Sequence, residues 1–208
     1  MDQGSRRPAR ARRRSNVDRR REIVEAVVAL ARERGPDAIT THAIAARIGV
    51  TQGAVFRHFP DKAAIWVAVF AWVREALDAA LDAAVAQGGS PVEKIGRAFL
   101  AHAAFVALHP GVPRMLFHEL QYAGESEVRA AVREAVGDYR RRLAKLFDQA
   151  KREGELPASL DSTLATVLFI GAVQGLVIKA ALAGNDAAIA KDARPMLALL
   201  LDGYRGGQ

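Results

Sequence analysis

Apolar residues recur at three- and four-residue spacing along almost the whole chain, as in Ile23, Val24, Val27, Leu30 and Ala31. In a helix those positions share one face, whereas a half-buried strand needs strict alternation, and no run of alternating β-branched residues bounded by turns occurs. The expectation is an all-α fold. Breakers divide it: Gly35-Pro36 ends a first helix starting near residue 18, and GGSP (88–91), HPG (109–111), AGES (123–126), GELP (154–157) and GND (184–186) punctuate the rest. Between them a long helix is expected from residue 62 to about 86, with Asp61 placed to accept from the free amides of its first turn. Further helices are expected over about 92–108, 112–122, 127–153, 161–183 and 187–204. With three shorter ones at the start, the chain has about nine helices.

Half of the 208 residues are hydrophobic, enough for a substantial core. There is no cysteine, which excludes a disulfide framework and a thiolate metal site and suits a reducing cytoplasm. MDQGSRRPARARRRSN, residues 1–16, lacks the apolar stretch of a secretory signal and reads as a disordered arginine-rich arm. The longest apolar run, 164–178, is interrupted by Thr166 and Gln174 and is shorter than the roughly 20 residues a bilayer crossing requires, so a buried helix and no membrane partner are expected. Charge is distributed unevenly. Residues 1–62 carry 14 Lys and Arg against 7 Asp and Glu, and residues 63–208 carry 16 against 16, so the whole net charge of +7 lies in the first 62. One end is built for a polyanion. The expected division is an arm over 1–16, a DNA-binding unit over 17–62 and a larger helical domain over 63–208.

Between Asp37 and Asp61 no residue is acidic. Thr40 sits where an N-cap belongs, Ile44 and Ile48 share a face, and Gly49-Val50-Thr51 gives a tight turn before a short helix with Val55 and Phe59 on its inner side. Ala45 is small where two helices must cross. This is a helix-turn-helix pattern. With Val55 and Phe59 turned inward, Gln52, Gly53, Arg57 and His58 point elsewhere, and the missing carboxylates follow from repulsion by phosphates. Gln52 pairs bidentately with adenine and Arg57 with guanine, while Gly53 permits close approach to the groove. Thr40, Thr51, His58 and Lys62 suit backbone phosphates. A compact three-helix unit with a merely solvated polar face is the competing reading.

The segment from about residue 20 to 65, with I-A-x3-G-V-T-x-G-x-V-F-x-H-F-x-x-K from Ile44 to Lys62, resembles the DNA-binding domain of the TetR/AcrR family of bacterial transcriptional regulators. The resemblance implies an all-helical homodimer, usually a repressor, with a divergent C-terminal domain for ligand binding and dimerisation. It also implies that the last two helices form a four-helix bundle with a second copy. The family usually has Tyr where this chain has Phe56, whose ring cannot give the phosphate the hydrogen bond that hydroxyl makes. That loss is worth about 0.5–1.5 kcal/mol. Arg6, Arg7, Arg10 and Arg12 to Arg14 offer compensation in an adjacent minor groove, or serve as a solubilising tail.

Beyond residue 62, Gly171 and Gly175 stand four apart on one helical face, with Ile178 following, so another backbone can approach there. A two-fold dimer imposes a palindromic operator with half-sites about 34–36 Å or a multiple apart. Candidate walls of a ligand pocket are Trp66, Phe70, Val73, Phe99, His102, Phe105, Val106, Met115, Leu116, Phe117, Tyr139, Leu143, Phe169 and Val173, with His102, His118 and Gln174 as polar contacts. As a set they favour a small apolar or aromatic effector, although each aromatic alone suits plain core packing. His102, His109, His118 and Glu119 show no His-x3-His spacing, so no metal is expected, and no cofactor or enzyme motif appears. HPGVPRMLFHEL, from His109, reads either as a mobile helix at the pocket mouth or as a rigid corner. The function expected is a cytoplasmic, ligand-responsive repressor on double-stranded DNA. A sequence-indifferent DNA-packaging protein is the alternative, and an all-α enzyme using pocket histidines a third.

Overall fold

The computed structural model describes residues 16–121 and 124–206. The arginine-rich arm therefore lies outside the described residues except for Asn16, which already belongs to the first helix. Among the described residues the chain is all-helical, without a strand: α1 (Asn16–Glu33), α2 (Thr41–Arg47), α3 (Gln52–Phe56), α4 (Lys62–Ala86), α5 (Pro91–Leu108), α6 (Gly111–Gln121), α7 (Glu127–Arg152), α8 (Ser162–Ala183) and α9 (Ala188–Arg205). A 3₁₀ turn, Pro36–Ala38, links α1 to α2. The first helix begins two residues before the expected residue 18. Asp18 consequently falls in its first turn, where a carboxylate opposes the positive end of the helix dipole.

Side chains cap the starts as their chemistry requires. Thr40 Oγ1 accepts from the Ala43 amide at 3.1 Å, Thr51 Oγ1 from Ala54 at 3.2 Å and Asp61 Oδ1 from Ala64 at 2.8 Å. Ser90 and Glu93 close a reciprocal capping box at α5. Gly49 has φ of 68°, a left-handed turn that a side chain would strain, and it reverses the chain between α2 and α3.

Two hydrophobic cores form. The head core gathers Ile23, Val27, Leu30, Ile39, Ile44, Val55 and Phe59, and it continues past residue 62 through Ile65, Val69, Phe70 and Val73 of α4. The body core centres on Phe99, Leu143, Phe147, Phe169 and Val173, and takes Leu81 and Ala84 from the far end of the same α4. The expected domain boundary at residue 62 is thus a boundary of helices rather than of packing. Arg142 binds Asp78 at 2.5 Å and also reaches Asp82, while Arg74 bridges to Glu134 and Asp138, fastening α4 to α7.

The HPGVPRMLFHEL segment becomes a docked corner. After α5 the chain turns through 87° and α6 lies on α1. A methyl group on Gly111 would stand 2.4 Å from the carbonyl carbon of Ala31, so only glycine allows that approach. Met115 is buried in the head core, and His118 Nε2 lies 3.0 Å from Asp37 Oδ1. Met115 and His118, expected in the pocket, instead attach α6 to the head.

Helix α8 has 22 residues, longer than the apolar run alone suggested, and by length and composition it meets the requirement for a bilayer crossing. Its inner face, with Phe169, Val173 and Leu176, is occupied by the body core. Its outer face exposes Leu164, Val167, Leu168, Ile178 and Leu182, with Gly171 and Gly175 between them. Substituting Gly111→Ala should lower unfolding free energy by about 1–3 kcal/mol through overpacking. Gly35→Ala, which meets open space, should change it by less than about 0.5 kcal/mol; urea unfolding of both variants measures the difference.

Candidate nucleic-acid interface and ligand cavity

Helices α2 and α3 present one polar face. Inward, Ile44, Ala45, Val55 and Phe59 are buried; outward, Thr51, Gln52, Gly53, Phe56 and Arg57 are exposed. Gln52 Nε2 donates to Thr41 Oγ1 at 2.6 Å, which holds its amide at the outer start of α3. Arg57, at the other end of α3, is exposed and makes no ion pair among the described residues. Thr40 and Thr51 use oxygen lone pairs for capping and keep a hydroxyl hydrogen to donate. At Gly53 an added Cβ would meet nothing nearer than Thr51 Oγ1 at 4.0 Å, so internal packing does not require glycine there. Phe56 keeps 44% of its surface exposed, a large apolar ring on an otherwise polar face.

Two residues assigned to this face are engaged elsewhere. The ring of His58 meets Asn16 Oδ1 at 2.6 Å through Nδ1, and Arg20 reaches the His58 carbonyl while lying 4.0 Å above the Phe59 ring. The Lys62 ammonium turns back to the Pro36 carbonyl at 3.4 Å and stands 5.3 Å from the Trp66 ring. Asn16 and Arg20 were not marked by the sequence. Their spacing of four on α1 put them on one face, without indicating that the face meets the end of α3.

Within the body, α4 to α8 enclose a cavity of about 130 Å³. Of the expected pocket residues, Phe70, His102, Phe105, Val106, Tyr139 and Gln174 line it, as do Val73 and Leu116. Phe99, Phe169 and Val173 lie one layer behind: Phe169 stacks on His102 with ring centres 6.3 Å apart, and Phe99 meets Phe169 edge-on at 5.2 Å. Trp66 and Phe117 do not line the cavity; Trp66 packs on the head core and Phe117 is exposed. Unmarked by sequence, Leu77, Val112, Pro113, Val132, Ala135, Val136 and Ile170 complete the wall. The 132-135-136-139 spacing on α7 was the available signal, since it repeats every three or four residues toward the interior.

Apart from His102, Tyr139 and Gln174 the wall is apolar, and among the described residues it carries no charged side chain. His102 is buried, its Nδ1 has no partner among the described residues, and the same holds for Gln174 Oε1. Burial holds the His102 pKa down to about 4, so the imidazole is neutral near pH 7. Burial, aided by nearby Asp78, pushes the Tyr139 hydroxyl up, and it too stays neutral. The three histidines considered for a metal are separated: His109 lies edge-on to Trp72 at 5.1 Å, and His118 faces Asp37. Among the described residues no group of His, Asp and Glu is arranged to hold an ion.

A carboxylate-free helix-turn-helix joined through one long helix to a helical body with an apolar cavity defines a class of DNA-binding regulators. Residues 23–69 match the family model described as bacterial regulatory proteins, tetR family, and residues 88–178 match that of the tetracyclin repressor-like C-terminal domain. The chain belongs to the TetR family of transcriptional regulators. It is 28% identical over 161 residues to the nucleoid occlusion factor SlmA of Vibrio vulnificus, covering 76% of this chain and 81% of that protein. Its fold is similar to that of the regulator FadR from Bacillus subtilis, solved in complex with stearoyl-CoA, with TM-score 0.74, 20% identity and coverage of 88% and 98%. It is also similar to AibR, solved with isovaleryl coenzyme A and operator DNA, with TM-score 0.69, 21% identity and coverage of 90% and 98%.

The depressed His102 pKa sets a sign for acid stability. The unfolded chain binds this proton below about pH 6.5 and the folded chain only near pH 4, so its contribution is complete above 6.5 and is lost as pH falls toward 4. Between pH 7 and 4, His102→Phe should lose about 3 kcal/mol less stability than the parent chain, measured by denaturant unfolding at both pH values.

Proposed function

We propose that this regulator is a ligand-responsive repressor that binds a palindromic operator as a homodimer and is released when a small, mainly apolar effector fills the cavity. The carrying observation is the course of α4. It starts five residues after Arg57, just beyond the His58-Phe59-Pro60 corner, and its own Phe70, Val73 and Leu77 are cavity wall. Anything that changes the cavity moves the helix that positions α3. Helix α6 supplies a second route, with Leu116 on the cavity and Gly111 against α1. Differential binding of effector to two arrangements worth about 1–3 kcal/mol is enough to alter half-site spacing and operator affinity.

In this reading Gln52 and Arg57 read base edges, Gly53 lets α3 approach the groove, and Thr40 and Thr51 donate to phosphates. Phe56 suits an apolar contact such as a thymine methyl. His58 and Lys62 act one step removed, by fixing α1 and the 3₁₀ turn beside the interface. The outer face of α8, with Gly171, Gly175 and Ile178, is the proposed dimer surface, because an exposed apolar stripe with two glycines suits close contact with a second copy. The effector's buried part is uncharged, since the wall offers no counter-ion, and one hydrogen-bonding group on it would partner His102 Nδ1 or Gln174 Oε1.

Selection of genomic fragments by the purified protein tests the operator. A palindromic site preferred by about 10³ or more over random duplex is expected; equal affinity for all duplexes would turn the reading to DNA packaging. Arg57→Ala should relax discrimination at one base pair per half-site by about 1–3 kcal/mol, and a uniform loss across sequences would count against base reading. The double substitution Leu168→Glu and Ile178→Glu should give a monomer by light scattering, with unchanged helical circular dichroism and loss of operator binding.

A further inference from the structure

Three wall residues of the cavity, Leu116, Val132 and Val136, also line a groove on the outer side of α6 and α7. The polar side chains of that groove are Arg129, Arg133 and Arg140, and among the described residues no carboxylate lines it. Gly137 and Arg140 continue into a neighbouring depression where Arg141, Thr163 and Thr166 supply the polar groups, again without a carboxylate. Helical spacing produces the segregation: 129, 133, 136 and 140 share a face, Glu134 turns to the other side and pairs with Arg74, and Asp138 at the edge pairs with Arg74 and with Arg141, which leaves Arg133 and Arg140 as the arginines of the track. Arg140 has no ion pair among the described residues. Arg133 binds Glu125 at 2.6 Å, but both side chains are more than half exposed, and such a pair yields readily to a stronger anion. Glycine at 137, inside a 26-residue helix, costs about 1 kcal/mol relative to alanine. It leaves the helix surface low where the two depressions meet.

We propose that the effector is an amphiphile whose apolar end enters the cavity and whose phosphate-bearing head lies along this arginine track on α7. The inference rests on the cavity being the effector site. A cavity of about 130 Å³ takes a group near the size of benzene, about six heavy atoms, by comparison with the roughly 150 Å³ apolar cavity that binds benzene. Arg133 and Arg140 are about 10 Å apart along the helix, so one phosphate bridges them poorly and a head with several anionic groups, as in a coenzyme A thioester, fits the track better. Arginine is suited to this recognition because its fork of donors matches phosphate oxygens.

The test is calorimetry of the full chain with hexanoyl-coenzyme A, hexyl phosphate, coenzyme A and 1-hexanol. Hexanoyl-coenzyme A should bind at least about tenfold tighter than hexanol, the gain supplied by one charge-assisted hydrogen bond, with hexyl phosphate between them and coenzyme A alone weaker than its hexanoyl ester. Arg140→Glu should remove most of that advantage and leave hexanol unchanged, whereas Lys145→Glu, on the same helix but outside the track, should alter neither. Equal affinity for hexanol and hexanoyl-coenzyme A, or an Arg140→Glu variant with the parental ratio, overturns the head assignment while leaving an apolar effector in place. Coenzyme A binding as tightly as its ester overturns the role of the cavity. Binding of none of the four overturns the amphiphile, and operator selection, which uses no ligand, decides separately whether the chain is a specific regulator.

Discussion

One helix belongs to two cores. Ile65, Val69, Phe70 and Val73 of α4 are buried with the helix-turn-helix, and Leu81 and Ala84 are buried with the body. Over its 25 residues the helix spans about 37 Å, and a close-packed helix of that length moves as a rod rather than compressing. A displacement at the cavity is therefore carried to residue 62 and the corner that ends α3. Gly111 against Ala31 adds a second fixed point, because α6 cannot slide along α1 without bringing side chains onto backbone. The head is held from two directions by elements that both contribute cavity wall, and this is the connection that the proposed effector response uses.

The cavity is costly to maintain as it stands. A buried polar group without a partner costs about 1–3 kcal/mol, and His102 and Gln174 each present such an atom. Leucine or phenylalanine at either position would pack with less penalty. Other buried polar groups of the body find partners: Thr166 Oγ1 donates to the Ser162 carbonyl at 2.8 Å, and Tyr204 donates to the Ala165 carbonyl at 2.6 Å. Against that background, two unmet groups in one small apolar chamber support the proposal that it is a ligand site.

Helix boundaries were legible because they are set locally. Gly49, Thr40 and Asp61 act through their own backbone and the next turn, so residue type and spacing suffice. Partners across space were less legible. Periodicity shows that Met115 and Phe99 face inward, but not whether inward means the cavity, the layer behind it or the head. Met115 went to the head because α5 turns sharply at His109-Pro110, and the direction of that turn is decided by Gly111 fitting against Ala31. His58 and Lys62 were read as outward for a similar reason: α3 ends before them, and their contacts come from Asn16 and the 3₁₀ turn, which no local pattern links to them. Apart from Tyr139, the cavity wall on α7 was missed because Val132, Ala135 and Val136 are small and the arginines beside them conspicuous, which makes the helix read as a surface element. It is both, with one face of Val132, Ala135 and Tyr139 inside and Arg133 and Arg140 outside.

That double character bears on how a small cavity can operate a switch. A group of about six heavy atoms gains at most about 9 kcal/mol, from a ceiling near 1.5 kcal/mol per atom for the best tiny ligands, and ordinary ligands gain far less. Any part of that energy spent on favouring one arrangement of α4 reduces the affinity available to recruit the ligand. In the proposed arrangement the head group's charged contacts fall on Arg133 and Arg140 of α7 and not on α4, so they would favour the two arrangements about equally. They raise occupancy without biasing the equilibrium. In that proposal, dividing the ligand between an external anion track and an internal apolar chamber would separate recruitment from switching: the arginines would set how much effector is bound, and the fit of the buried end against Phe70, Val73 and Leu116 would set how far the head turns.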